Sequence, residues 1–108
     1  MMNEYNLTIG LFDKDTCRQE IATGDAKSIF ENTLLNEYGI FAFTMIACAG
    51  CYKKESNGTI VREPSIRIEI AADDDINETV KDICQDLKVK LNQESIMYKK
   101  MVSDISFE

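Results

Sequence analysis

The sequence predicts an α+β fold in which two helices cover one face of a four-stranded antiparallel sheet. Three observations carry this reading. Asn57-Gly58 is a strong two-residue hairpin signal, because both residues tolerate the positive φ that such turns need. Ile66, Ile68 and Ile70 alternate with Arg67 and Glu69, the period of a half-buried strand. Ile76, Val80, Ile83, Cys84, Leu87 and Leu91 line one stripe of a helix.

The first strand is expected over residues 6–12. Tyr5, Leu7, Ile9 and Leu11 fall on one face, and Asn6, Thr8 and Gly10 on the other. Gly10 marks a bulge or a close approach by another group. Residues 13–22 form a long polar connection, a kind often mobile or functional. Thr23 is a candidate N-cap for the first helix, with Asp25 in its first turn. Ala26, Ile29, Phe30, Leu34 and Tyr38 make the buried stripe, and Gly39 suits a left-handed C-terminal position.

The second strand, expected over residues 40–52, is apolar on both faces at its start. Such a strand is central or covered by something else, for example a second copy of the chain. Residues 53–58 form the hairpin loop, and the third strand opens near Thr59. Pro64 has no N–H for a ladder, so it marks an edge or a bulge. Asp75-x-x-Glu78 resembles a capping box, and Asp73, Asp74 and Asp75 favour the positive end of the helix dipole. The second helix should stop near Asn92. Residues 95–100 read as the fourth strand, and the tail adds at most a short one. Strand, helix, strand, strand, helix, strand is the order of the ferredoxin-like βαββαβ sandwich, whose second sheet face is open. That open face predicts a homodimer or higher homo-oligomer. The fold hosts many functions and selects none.

The chain has 108 residues, suited to a single domain over 1–108. At 44% hydrophobic residues it has the material for a core. Its net charge is −7, from 19 acidic and 12 basic residues, which opposes direct nucleic-acid binding. The same charge suits solubility, or docking on a basic protein surface. There is no histidine, which removes the commonest general base and zinc ligand. No signal-peptide pattern or membrane-length apolar run is present. The four cysteines then read as reduced cytoplasmic thiols.

Two short motifs stand out. Arg62-Glu63-Pro64-Ser65 opens the third strand after Gly58-Thr59-Ile60-Val61, and Gln93-Glu94-Ser95-Ile96 follows Asn92 and precedes Met97. With Gly10-Leu11, these resemble a family of small uncharacterised bacterial and phage proteins. That family has an Arg-Glu-x-Ser stretch and a Gln-Glu-Ser-aliphatic stretch at the corresponding places. The resemblance covers about two-thirds of the chain and is weak between Asp13 and Cys51. It implies the same fold and, by association, a phage counter-defence role in the host cytoplasm. It implies no activity.

Four constellations can carry chemistry. Arg62, Glu63, Ser65, Arg67 and Glu69, with Gln93, Glu94 and Ser95, would cluster if both stretches share one sheet end. Two guanidiniums would then clamp an anion, with the carboxylates orienting them. Arg62 and Arg67 have opposite strand parity, so this needs a bulge at Pro64. The plainer alternative is an outward strand face with cross-strand ion pairs. Cys48 and Cys51, with Cys17 and Cys84, offer thiolates for zinc or redox chemistry. No second Cys-x-x-Cys exists, and Cys84 lies on a helix stripe where Cys acts as a small hydrophobe. Tyr52, Lys53, Lys54, Lys99 and Lys100 make either a basic patch with a stacking ring or solvated strand ends. Asp13, Asp15 and Asp73 to Asp75 lack calcium-loop spacing.

Three functions follow as expectations. The first is a non-enzymatic protein that sequesters a small anionic, nucleotide-derived ligand through Arg62, Glu63, Ser65, Arg67, Tyr52, Gln93 and Glu94, without a cofactor. The second is an inhibitor that docks on a host protein through its acidic surface. The third is a small isomerase or lyase that uses a carboxylate.

Overall fold

The computed structural model describes all residues, Met1–Glu108. Strands β1 (Met2–Gly10), β2 (Thr44–Lys53), β3 (Ile60–Ala72) and β4 (Met97–Ser103) form one sheet of order β2-β3-β1-β4. All neighbours pair antiparallel. Helices α1 (Thr23–Asn32) and α2 (Asn77–Lys90) connect them. This is the ferredoxin-like arrangement. No helix is long and apolar enough to cross a membrane.

Alternation decides which side is buried. Tyr5, Leu7 and Ile9 of β1 and Ile66, Ile68 and Ile70 of β3 point to the helices and are buried. Ala26, Phe30 and Leu34 meet them from one side, and Val80, Ile83, Cys84 and Leu87 from the other. Burying an aliphatic side chain of this size contributes about 1.5–3 kcal/mol. The other face, by register, carries Glu4, Asn6, Thr8 and Gly10 beside Glu63, Ser65, Arg67 and Glu69, with Lys99 from β4.

Several boundaries differ from expectation, each for a local reason. β1 starts earlier and ends at Gly10, because β4 pairs with it from Met2 to Thr8. Residues 40–43 precede β2 rather than form its start. Gly39, at φ 67°, reverses the chain and Ile40 N–H closes on Leu34 C=O at 2.8 Å. Phe41 is left 83% exposed, so the two-sided apolar run is not a covered central strand.

Pro64 lies inside the central strand β3 without a bulge, since pairs Cys48↔Ser65, Ala49↔Pro64 and Gly50↔Glu63 run in unbroken register. Its carbonyl accepts from Leu11 N–H at 3.0 Å. In an antiparallel ladder a residue's N and C=O point to the same side. The missing N–H therefore points where β1 has already ended. Beyond that point β2 and β3 project as a two-stranded arm, which lengthens the molecule to 45 × 26 × 25 Å.

Thr23 does not cap α1; its hydroxyl accepts instead from Gln19 Nε2 at 3.0 Å. Past α1, a π-helical turn spans Thr33–Glu37, with the Thr33 hydroxyl donating to Ile29 C=O at 2.8 Å. Asp75 accepts from Asn77 N–H at 3.0 Å, but Glu78 bonds Asn77 instead of completing a capping box. β4 begins at Met97 and runs to Ser103.

Candidate functional site

A cleft of about 660 Å³ opens where β1 and β2 end and β3 and β4 begin. Three segments build it. The turn after β1 supplies Phe12, Asp13, Lys14 and Cys17. The β2–β3 arm supplies Tyr52, Lys54, Ser56, Val61 and Glu63. The turn between α2 and β4 supplies Gln93, Glu94 and Ser95.

Glu63 is the carboxylate that β3 contributes to the cleft. It points to the open face and leans over Gly10, where any Cβ would lie 2.5 Å from its Oε1. Phe12 N–H donates to Oε2 at 3.1 Å. Ser65 is buried beside it, with its hydroxyl 3.5 Å from the Glu63 carbonyl. On β2, Tyr52 pairs with Val61 on the same face. Partial desolvation, then the Glu63, Cys17 and Glu94 charges, hold the Tyr52 hydroxyl above its usual pKa. It remains a neutral phenol that can donate a hydrogen bond.

Gln93 is buried and its amide is already used. Nε2 donates to Phe12 C=O at 2.7 Å, so Gln93 ties the two turns together. Glu94, one residue on, is exposed into the cleft. The 13–22 connection is folded back on itself. Asp13 N–H donates to Arg18 C=O and Cys17 N–H to Asp13 C=O, both at 2.8 Å.

The sheet end thus brings together Glu63, Gln93 and Glu94 from the two motifs with Tyr52 from β2. It does not bring in the arginines. With no bulge at Pro64, Arg62 shares the opposite face with Cys51, and Arg67 stays on the open face beside Glu69. The anion clamp is not assembled. Asp13, Glu63 and Glu94 face only Lys14 and Lys54, so acid exceeds base in the cleft. The predicted basic patch is also dispersed, since Lys100 pairs with Asp75 at 3.1 Å and Lys99 lies on the open face. Cys48 and Cys51 fall on opposite faces of β2, and no three potential metal ligands cluster. Burial pushes the Cys84 thiol up to about 11.

Phe12 and Lys14 were not legible as site residues, and Cys17 was read only as one of four thiolates. Their one signal is Asp13, whose carboxylate accepts from Asp15 and Thr16 N–H and so folds the turn toward the cleft.

No family model matches the chain, and no curated protein matches it. Solved structures match in fold. A phage SAM lyase in complex with S-methyl-5'-thioadenosine superposes with TM-score 0.68 at 19% identity, covering 93% of this chain and 80% of that one. A phage SAM lyase in the apo state gives 0.65 at 20% identity, over 92% and 78%. The ATP complex of B. subtilis GlnK gives 0.58 at 13% identity, over 93% and 81%. At these identities the likeness is one of fold.

Proposed function

We propose that the chain binds S-adenosylmethionine in this cleft and cleaves it as a lyase, releasing S-methyl-5'-thioadenosine. The observation that carries the reading is the excess of carboxylates, Asp13, Glu63 and Glu94, around one aromatic hydroxyl. A sulfonium nucleoside is cationic, and such a lining attracts it where it would repel a phosphate. Tyr52 offers a ring face to adenine or to the sulfonium. Lys14 and Lys54 can receive the amino-acid carboxylate. As the substrate's own carboxylate oxygen closes on the γ-carbon of the aminobutyryl chain to form a lactone, the bond from that carbon to sulfur breaks and its electron pair goes to sulfur. The thioether product is neutral at sulfur, so the acidic lining holds it less tightly than the substrate. The phage SAM lyases of the same fold support this reading, and it keeps the expected nucleotide-derived ligand while changing its charge. A phage counter-defence role, also implied by the two motifs, fits an activity that removes a methyl donor.

Incubation with S-adenosylmethionine and chromatography for S-methyl-5'-thioadenosine tests this. Product is expected, and Glu63→Gln should reduce it by about tenfold or more. No product, together with a raised melting temperature, would leave a sequestering protein instead. A ligand at 100 times its Kd stabilises by about 2.7 kcal/mol, which a melting curve resolves. Neither product nor a shift removes both.

A second reading has its own observation. At the other sheet end, Leu35, Phe41, Phe43, Ile105 and Phe107 line an apolar groove rimmed by Glu4, Glu31 and Glu69, with no lysine or arginine. This favours an inhibitor that receives a basic, apolar segment of a host protein. A stoichiometric complex lost on Phe41→Ser would support it.

A further inference from the structure

Gly10 does not need to be glycine for its backbone. Gly39 and Gly58 are the glycines at positive φ, and Gly10 is not among them. It lies in a regular stretch of β1, paired with Ser65. What a side chain there would displace is the Glu63 carboxylate. A Cβ on Gly10 would lie 2.5 Å from Oε1, 2.6 Å from Cδ and 2.7 Å from Oε2. All three are closer than real Cβ contacts, and the whole carboxylate would have to leave.

Gly50, on the other side of Glu63, differs. A Cβ there would stand 3.7 Å from Glu63 Cγ, an ordinary contact, and 3.3 Å from the Ser65 hydroxyl. The constraint on the carboxylate therefore comes from β1. With Gly10 bare, Glu63 lies across the end of β1 until Oε2 reaches Phe12 N–H at 3.1 Å. Oε1 is then left without a hydrogen bond within the chain, on a side chain that lines the cleft.

We infer that Gly10 is a positioning residue: its missing side chain sets the Glu63 carboxylate in the one pose that binds Phe12 N–H and leaves Oε1 free for the ligand. Its effect on catalysis rests on the lyase reading above; its effect on the carboxylate does not. A displaced catalytic group about 1 Å from its working place typically costs on the order of a hundredfold in rate.

The test compares Gly10→Ala, Glu63→Gln and the double variant, with Glu63→Asp as a fourth background. Product formation should fall in Gly10→Ala about as far as in Glu63→Gln, by about tenfold or more and mainly in kcat. The same change should add nothing once Glu63 is Gln, because it acts through that carboxylate. The Phe12 amide proton should move upfield alike in Gly10→Ala and Glu63→Gln. Aspartate is one methylene shorter and draws back from β1. Gly10→Ala should therefore cost much less stability in the Glu63→Asp background than in the parent chain.

An unmoved Phe12 amide in Gly10→Ala overturns the inference. So does an equal loss of activity or stability in every background, which would make Gly10 merely structural. If the parent chain makes no product, the lyase reading fails, while the amide shift and the aspartate rescue still decide the role of Gly10.

Discussion

Asn92 donates its side-chain amide to the Asp13 carboxylate at 3.0 Å, joining the turn after α2 to the turn after β1. The same nitrogen reaches Asp15 at 2.9 Å, and Lys14 N–H returns to Asn92 C=O at 3.0 Å. Asn92 sits at φ 48°, a region its short polar side chain tolerates. Two walls of the cleft are thus clasped by one residue. Asn92→Gly keeps the backbone and loses the clasp; Asn92→Ala loses the clasp and adds about 1 kcal/mol of backbone strain. Urea melts should rank the parent above Gly and Gly above Ala. Trypsin should cut faster after Lys14 and Arg18 in both variants, and unchanged cutting would show that the clasp does not hold the turn.

Acid should loosen the molecule at this turn and elsewhere. The Asn92 hydrogen bond, then the Asp15 N–H, hold the Asp13 pKa below its ordinary value. Glu20 is lowered by Arg18, Glu37 by Lys90 and Asp75 by Asn77 N–H and then Lys100. A carboxylate lowered by folding stabilises the fold above its unfolded pKa, and that contribution is lost as pH falls through the folded value. The urea midpoint should therefore change little with these groups from neutrality to about pH 5 and decline below about pH 4. Asp13→Asn should flatten part of that decline. A midpoint rising on acidification would contradict the assignment.

The hydroxyl of buried Tyr5 accepts from Ile76 N–H at 2.9 Å and donates to Asp75 at 3.3 Å. It anchors the start of α2 to β1. Tyr5→Phe keeps the ring but strands a backbone donor, at a cost of about 1–3 kcal/mol. Chemical denaturation measures this, and a loss well under 0.5 kcal/mol would mean that water replaces the hydroxyl.

Tyr52 should tolerate loss of its hydroxyl better than loss of its ring, if stacking dominates. Tyr52→Ala removes about 1–3 kcal/mol of base stacking, while Tyr52→Phe keeps it. Because its pKa is raised, affinity should not fall as pH approaches 10.0, the ordinary tyrosine value. Titration of the cleft with S-methyl-5'-thioadenosine at several pH values checks both points.

The strand and helix faces were legible because burial imposes a period on sequence: Ile66, Ile68 and Ile70, and Val80, Ile83 and Leu87, are all buried as spaced. Strand ends were less so. Gly10 ends β1 and Thr44 opens β2 through pairing partners far along the chain, which local spacing does not contain. Pro64 misled for a similar reason, since its harmless place depends on where β1 stops. Within the site, Glu63 and Glu94 were found through their motifs. Arg62, from the same motif as Glu63, and Arg67 were drawn in as an anion clamp, and strand parity separates them. The short reach between Gly10 and Glu63 was visible only as a glycine on a strand face.

Self-association through the open face is the remaining expectation, and its charges make it testable. In the lower rows of that face, Glu4 and Glu69 are set against Arg67 and Lys99. Arg67 stands 4.0 Å from Glu69, while Lys99 forms no ion pair within the chain. This patch is balanced although the chain as a whole carries −7, so it is a place where two copies can meet without net repulsion. Light scattering should return a multiple of 12.3 kDa. Arg67→Glu with Lys99→Glu should reduce the mass to one chain, and raising salt should weaken the assembly in the parent. Such pairing would cover Glu4 and Glu69 of the apolar groove, so a stable homo-oligomer also argues against capture of a foreign segment there. A single-chain mass at high concentration and low salt would refute self-association and leave that groove free.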